Sequence, residues 1–359
     1  MSGMNLCRCL RTCKKNVIQD IFDARLASTS YTFLNNRKLI SNCGMRKHLH
    51  TTGTTYQSLC RLKSRGVIQM SGDDTPAFLQ GLVTNNILAL TEKFPSIQFC
   101  MMLNVQGRVL YDLFVYNITK AETDPMTCLI DVDDSAVNDL LKIFKKYKLR
   151  KKIDISNVSD RYKIWTEFDI GGQVALGKYN TSAASANIFQ FHDPRVPVFA
   201  NRIVTDQDHL DKTHAVQATE EDYRIHRYKW GIPEGTKDLP SGKCLPLESN
   251  LDYMNGVDFQ KGCYIGQELT ARTFHTGVIR KRLLPIELDS PSATIEPETV
   301  ITTQEKGKNA GKFRSSEGSN GLCLLRLQHA SDNLEVLSQD GQKIPVKAHL
   351  PKWWPNTSL

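Results

Sequence analysis

The chain lacks the patterns that would make a catalytic or metal site easy to find. Ten cysteines occur in 359 residues, but Cys7, Cys9, Cys13 and Cys43 all fall in the first fifty. The other six are Cys60, Cys100, Cys128, Cys244, Cys263 and Cys323; they form no C-x-x-C pair and are widely spaced. That spacing argues against a closed four-cysteine zinc site and against a self-contained iron–sulfur cluster. A disulfide framework is not expected in so long a chain in a reducing compartment. There is no G-x-x-x-x-G-K-[ST] phosphate loop, no H-E-x-x-H and no G-x-S-x-G. No apolar run approaches the ~20 residues that carry a helix across a bilayer. No repeat of solenoid length is seen.

Acidic residues are scarce at one end only. Residues 1–50 hold nine Lys/Arg against two acids, Asp20 and Asp23, a net of +7. The whole chain, with 46 Lys/Arg and 38 Asp/Glu, is +8, so residues 51–359 are nearly neutral. A near-neutral body gives no electrostatic case for binding nucleic acid. An Arg-rich, Ser/Thr-bearing, acid-poor leader matches an organellar transit peptide. It is assigned to residues 1–55 and left out of the fold reading.

What is present reads as alternating strands and helices. Leu59 to Met70 is strand-like. Ser71-Gly72-Asp73-Asp74-Thr75-Pro76 starts a helix expected to run through Leu82 to about Asn85-Asn86. Ile97–Leu103 and Val109–Ile118 form a hairpin around Asn104-Val105-Gln106-Gly107. After a strand at Cys128–Val132, a helix over about Ser135 to Tyr147 begins among acids and ends among lysines, which suits the helix dipole. Strands follow at Ile153–Val158 and Tyr162–Phe168. The order is α+β of the ferredoxin-like kind. Thr219-Glu220-Glu221-Asp222 opens a further helix that Gly231 and Pro233 stop, and its His226 is read as structural. Beyond His275, short strands alternate with Gly/Pro turns, as in a small antiparallel barrel.

One segment carries chemistry. Lys261-Gly262-Cys263-Tyr264-Ile265-Gly266-Gln267-Glu268 sets a single cysteine between two glycines, near a lysine and ahead of a helix-forming run. A helix N-terminus and the Lys261 cation would both favour the thiolate. The glycines leave room for a ligand or a partner's backbone. Tyr264 offers a stacking face, and Gln267 and Glu268 add hydrogen-bonding groups. A tight turn with nothing bound has the same spacing.

This octapeptide resembles the signature of the YgfZ-like proteins, relatives of the glycine-cleavage T-protein (GcvT) aminomethyltransferase. Phe78-Leu79-Gln80-Gly81-Leu82-Val83-Thr84-Asn85, Leu103-Asn104-x-x-Gly107-Arg108-Val109-Leu110-Tyr111-Asp112, Pro246-x-Glu248 and Arg272-x-x-His275-x-Gly277 support the likeness. With its leader, the chain looks like the mitochondrial member that assists late iron–sulfur cluster assembly in the matrix. The resemblance implies a T-protein-like α+β fold. Two ferredoxin-like units, residues 56–170 and 171–274, would surround a central folate-sized hole, and a barrel over 275–359 would close one side.

It also implies maturation of [4Fe-4S] apoprotein clients with A-type scaffold partners, and Cys263 as the functional thiol. As a metal ligand, Cys263 would hold a [2Fe-2S] cluster shared with the partner. Glu248, Asp112 and Arg272 are the residues the likeness places toward tetrahydrofolate. Where the transferases carry paired aspartates, this chain has Tyr111-Asp112, and Arg108 replaces a second glycine. Losing one carboxylate speaks against aminomethyl transfer. Three functions follow. The first is a non-enzymatic assembly factor, the second a folate-dependent one-carbon transferase. The third is a scaffold that docks through the basic run 142–152, with Cys263 merely packed.

Overall fold

The computed structural model describes residues 57–169, 187–210 and 215–355. The transit-peptide assignment lies outside the described residues.

The expected single strand at 59–70 is two strands. β1 (Gln57–Arg61) and β2 (Arg65–Ser71) are separated by a turn at Leu62-Lys63-Ser64. The carboxylate of Glu220 accepts the Lys63 and Ser64 N–H groups there. The break matters because the two strands enter different sheets. β2 pairs with β5 (Thr127–Asp133) and β6 (Asp154–Asn157), next to the hairpin β3 (Ser96–Leu103) and β4 (Val109–Asn117), in the order β3-β4-β5-β2-β6. Placing β2 between later strands is the ferredoxin-like arrangement with one strand added. β1 pairs instead with β7 (Lys163–Phe168) and β10 (Ala215–Gln217). β9 (Asn201–Thr205) and β8 (Ile188–His192) complete that sheet, in the order β10-β1-β7-β9-β8. The two sheets are therefore not cut from the sequence at residue 170: β1 and β7, both before it, belong to the second sheet.

Alternation along β4 and β5 builds two cores from one sheet. Leu113, Val115, Cys128 and Ile130 pack toward helices α1 (Thr75–Gln80) and α2 (Val137–Lys148), against Phe78, Leu79, Leu140 and Phe144. Phe114, Tyr116 and Leu129 face the second sheet, with Phe168, Phe199 and Val204. Helix α1 ends at Gln80, earlier than expected. Val83 instead bridges Met102, and Thr84 is tied to Met101 through both its amide and its hydroxyl. Helix α3 (Glu220–Trp230) has the capping box at Thr219/Asp222 and ends at Gly231 with φ +69. A short helix, α4 (Gly235–Asp238), follows. Helix α5 (Gln267–Thr276) leads to a closed six-stranded barrel. Its strands are β11 (Lys281–Leu288), β12 (Val300–Thr303), β13 (Asn309–Glu317), β14 (Asn320–Arg326), β15 (Leu334–Leu337) and β16 (Lys343–Ala348). No described helix is long and apolar enough to cross a membrane.

Between the sheets sits a buried ionic network. Arg65 bonds Asp131 at 2.5 Å and Asp112 at 3.0 Å. Arg202 reaches from β9 to Asp131 at 2.5 Å and to Glu234 at 3.0 Å. Arg195 pairs with Asp193 at 2.7 Å and Glu234 at 2.8 Å. The Arg202 guanidinium also lies 3.7 Å from the centre of the Phe114 ring. Burial alone would raise the Glu234 pKa, but Arg202, Arg195 and Arg65 hold it well below the usual carboxylate range.

Candidate functional site

Two segments far away in the chain meet the Cys263 loop. The first is the end of α1. Lys261 is buried, and its ammonium donates to the carbonyls of Gln80, Val83 and Asn85, each at 2.7 Å. Ile265 N–H donates to Gly81 O at 3.1 Å. These carbonyls are exposed for capping because α1 stops early and the chain bends away. The second is the β3–β4 turn, closed by Asn104, whose side chain accepts the amides of Gln106 and Arg108. It packs against Gly266. A Cβ on Gly266 would stand 2.3 Å from Asn104 O, and one on Gly107 would stand 2.9 Å from Leu269 Cβ. Both glycines have positive φ, +79 and +78. The sequence signal for this contact was the Asn104-x-x-Gly107 spacing, read as a turn and as part of the family likeness but not as a seat for Gly266.

Cys263 itself is exposed, and a Cβ on its neighbour Gly262 would meet nothing within 4 Å. The other five described cysteines are buried. Burial pushes the thiols of Cys60, Cys100 and Cys128 up to about 12 and raises those of Cys244 and Cys323. A buried, protonated thiol is neither nucleophile nor ligand. Among the described cysteines, Cys263 alone is presented to solvent.

The expected local roles are partly redistributed. Helix α5 begins at Gln267 with Gly266 as its cap, so Cys263 lies ahead of the first turn, where the helix dipole has largely faded. Lys261 is engaged by three carbonyls rather than standing free beside the thiol. Burial lowers its pKa to about 8, which still leaves an ammonium at neutral pH to donate all three bonds. Tyr264 is no open stacking face: it is buried in the core between the sheets, its ring 5.1 Å from the Lys261 nitrogen. Gln267 closes the loop, its side chain accepting from Tyr264 N–H at 3.3 Å. Glu268 is exposed in the first turn of α5. Phe259 stacks on Phe274 at 3.7 Å, an anchor for the approach to the loop that the sequence reading missed.

The three residues associated with folate do not share a cavity. Asp112 is buried in the ionic network, accepting from Arg65 and from Gly235 N–H at 3.0 Å. Burial outweighs Arg65 and raises its pKa. Arg272 is exposed on α5. Glu248 lines a cavity of about 240 Å³ with Leu247, Leu269, Thr270, Val278 and Lys281. Burial raises its pKa against the pull of Lys281 and Arg108. Arg282, at the start of β11, is buried and grips Asp252 with two bonds of 2.9 Å.

Comparison with known proteins fits this geometry. Residues 280–356 match the family described as the C-terminal β-barrel domain of CAF17. The mitochondrial iron–sulfur cluster assembly factor IBA57 of Mus musculus is 36% identical over 307 residues, covering 83% of this chain and 86% of that protein. The human protein of the same name is also 36% identical, with 83% and 85% covered. The homologue from Mycosarcoma maydis is 34% identical over 357 residues, with 85% and 86% covered. Among solved structures, the glycine cleavage system aminomethyltransferase T from Bartonella henselae superposes with a TM-score of 0.64 at 11% identity, over 83% of this chain and 86% of that one. At that identity the likeness concerns the fold.

Proposed function

The chain belongs to the IBA57 family of mitochondrial iron–sulfur cluster assembly factors, and we propose that within this role Cys263 lends its thiolate to a [2Fe-2S] cluster held jointly with an A-type scaffold protein. The cluster is cargo, passed on toward [4Fe-4S] apoproteins in the matrix, and the role is non-catalytic. The observation that carries this reading is the contrast among the described cysteines: five buried thiols and one on an open loop. Among the described residues, no group of three or more His, Cys, Asp or Glu side chains is placed to hold a metal ion. One thiol cannot hold a cluster alone, but it can complete a site whose other ligands come from a partner. Lys261, Tyr264, Gly266 and Gln267 fix the loop's backbone, while the open side at Gly262 leaves space for the partner's chain.

The test is to mix the protein with an A-type scaffold and a [2Fe-2S] donor. Wild type should give a cluster absorption and circular-dichroism spectrum found with neither protein alone. Cys263→Ser should lose it, and an unchanged spectrum and yield would remove Cys263 as a ligand.

Folate binding is a second, narrower reading, favoured by the Glu248 cavity. Its carboxylate suits a planar N–H pair, and Thr270 Oγ1, buried at the same cavity, has no hydrogen-bond partner. A volume of about 240 Å³ lies below the roughly 300–1,000 Å³ of ordinary small-molecule sites, enough for a ring system rather than a whole folate. Calorimetry with tetrahydrofolate on wild type and Glu248→Gln tests it; equal heats from both would end it.

A further inference from the structure

The segment Lys145-Lys146-Tyr147-Lys148-Leu149-Arg150-Lys151-Lys152 places six cations in eight residues at the end of α2. Among the described residues none of the six forms an ion pair, whereas Lys142, one turn earlier, is paired with Asp139 at 2.8 Å. The helix dipole accounts for cations in the last turn, but its effect does not extend to Arg150, Lys151 and Lys152. Leu149 is the unusual member. It is 85% exposed and has φ +49, a conformation for which glycine is the default at a helix end. Tyr147 beside it is also exposed. The tip is held in place: Lys151 N–H donates to Lys148 O at 3.0 Å, and Lys152 N–H donates to the Asp74 carboxylate at 2.7 Å. Gly72 makes room for it, since a Cβ there would lie 2.2 Å from Lys152 O. The fold thus fixes an apolar side chain outward in the middle of a cationic cluster.

We propose that this tip docks the protein on an anionic lipid bilayer, the six cations meeting headgroup phosphates and Leu149 with Tyr147 entering the interfacial layer. Cations alone would be drawn to any polyanion. An outward leucine among them gains only where a hydrocarbon layer lies behind the charge, which is the chemistry of a membrane surface. The tip bonds Asp74, just before α1, while the Cys263 loop bonds Gln80 and Gly81 at the far end of that helix. Lipid contact therefore does not engage the residues that hold the thiol.

The experiment uses leader-processed protein recovered from mitochondria, because the basic leader would itself bind anionic vesicles. Cosedimentation is compared with phosphatidylcholine vesicles lacking or containing phosphatidylglycerol. The expected result is binding to the anionic vesicles only. It should weaken about tenfold or more in a Lys148→Glu/Arg150→Glu/Lys151→Glu variant, and about threefold in Leu149→Ser, at unchanged thermal stability. A Leu149→Trp reporter should shift its emission to the blue on anionic vesicles. Absence of binding, or binding with no loss in Leu149→Ser and no shift from the tryptophan, overturns the proposal. If a polyglutamate peptide binds the tip as tightly as the vesicles do, the surface is one for acidic proteins and the lipid assignment fails.

Discussion

The ionic network between the sheets and the Cys263 loop solve opposite problems. In the network, Arg65, Arg195 and Arg202 meet Asp112, Asp131, Asp193 and Glu234 in full burial, and the guanidiniums also crowd the face of Phe114. Each of these carboxylates lies within ion-pair distance of a guanidinium, and Asp112, whose counterpart position the transferase likeness made a candidate site, has become part of the packing. At the loop, one thiol is left exposed while the backbone around it is pinned by Lys261 and by two positive-φ glycines. The difference teaches which groups this fold leaves accessible: the central charges are locked into structure, and the exposed thiol sits on a loop.

Arg202→Leu should cause the largest change. It leaves Asp131 and Glu234 short of a buried partner and should cost about 3–5 kcal/mol in denaturant unfolding. A loss under about 1 kcal/mol would show that the network is not holding the sheets together. Lys261→Met comes next, since it leaves the carbonyls of Gln80, Val83 and Asn85 without their donor, for about 2–3 kcal/mol. Lys261→Arg should not restore it, because a planar guanidinium cannot meet three carbonyls converging on one nitrogen.

Acid sharpens the comparison in another way. His226 stacks on Phe199, and burial lowers its pKa from 6.5 to about 4 against the pull of the Phe199 carbonyl. A histidine with a depressed folded pKa is kept neutral by the fold. Its contribution is full above pH 6.5 and is lost as pH falls toward 4, by about 3 kcal/mol. Glu234, held below its ordinary 4.5, begins to lose its share only below that pH. Melting temperature against pH should therefore decline from 6.5 downward, and His226→Phe should flatten that first slope. The smallest stability effect belongs to the loop's open side. Cys263→Ala should leave unfolding within about 0.5 kcal/mol while abolishing the shared cluster. In native wild type, mass-spectrometric mapping of alkylation should find Cys263 labelled long before Cys60, Cys100, Cys128, Cys244 or Cys323.

Much of this was legible in the chain because it rests on local rules. Apolar, β-prone runs around the Asn104-Val105-Gln106-Gly107 turn gave the hairpin β3–β4, a similar short run gave β5, the Thr219/Asp222 box gave the start of α3, and Gly/Pro punctuation gave the barrel. Cys100, Cys128 and Cys323 sit in apolar strand runs, and that local pattern matches their burial. Errors arose where distant segments outbid local preference. The early end of α1 depends on Lys261, some 180 residues on, and the split of β1 from β2 depends on Glu220. Neither partner can be identified from a window of sequence around the helix or the strand.

By itself, the sequence determined that Cys263 is the distinctive thiol, because no other cysteine has flanking glycines and a neighbouring lysine. It also determined the α+β order and the leader's charge. Only the tertiary structure decided what those neighbours do. Lys261 turned out to be a clamp on three carbonyls, Tyr264 a core residue, Gly266 a seat for the hairpin and Gly262 an opening. The physical reason is that hydrogen-bond partners and steric limits are set by whichever chain lies across the gap. Here that chain comes from residues 80–107, and folding alone brings it to the loop.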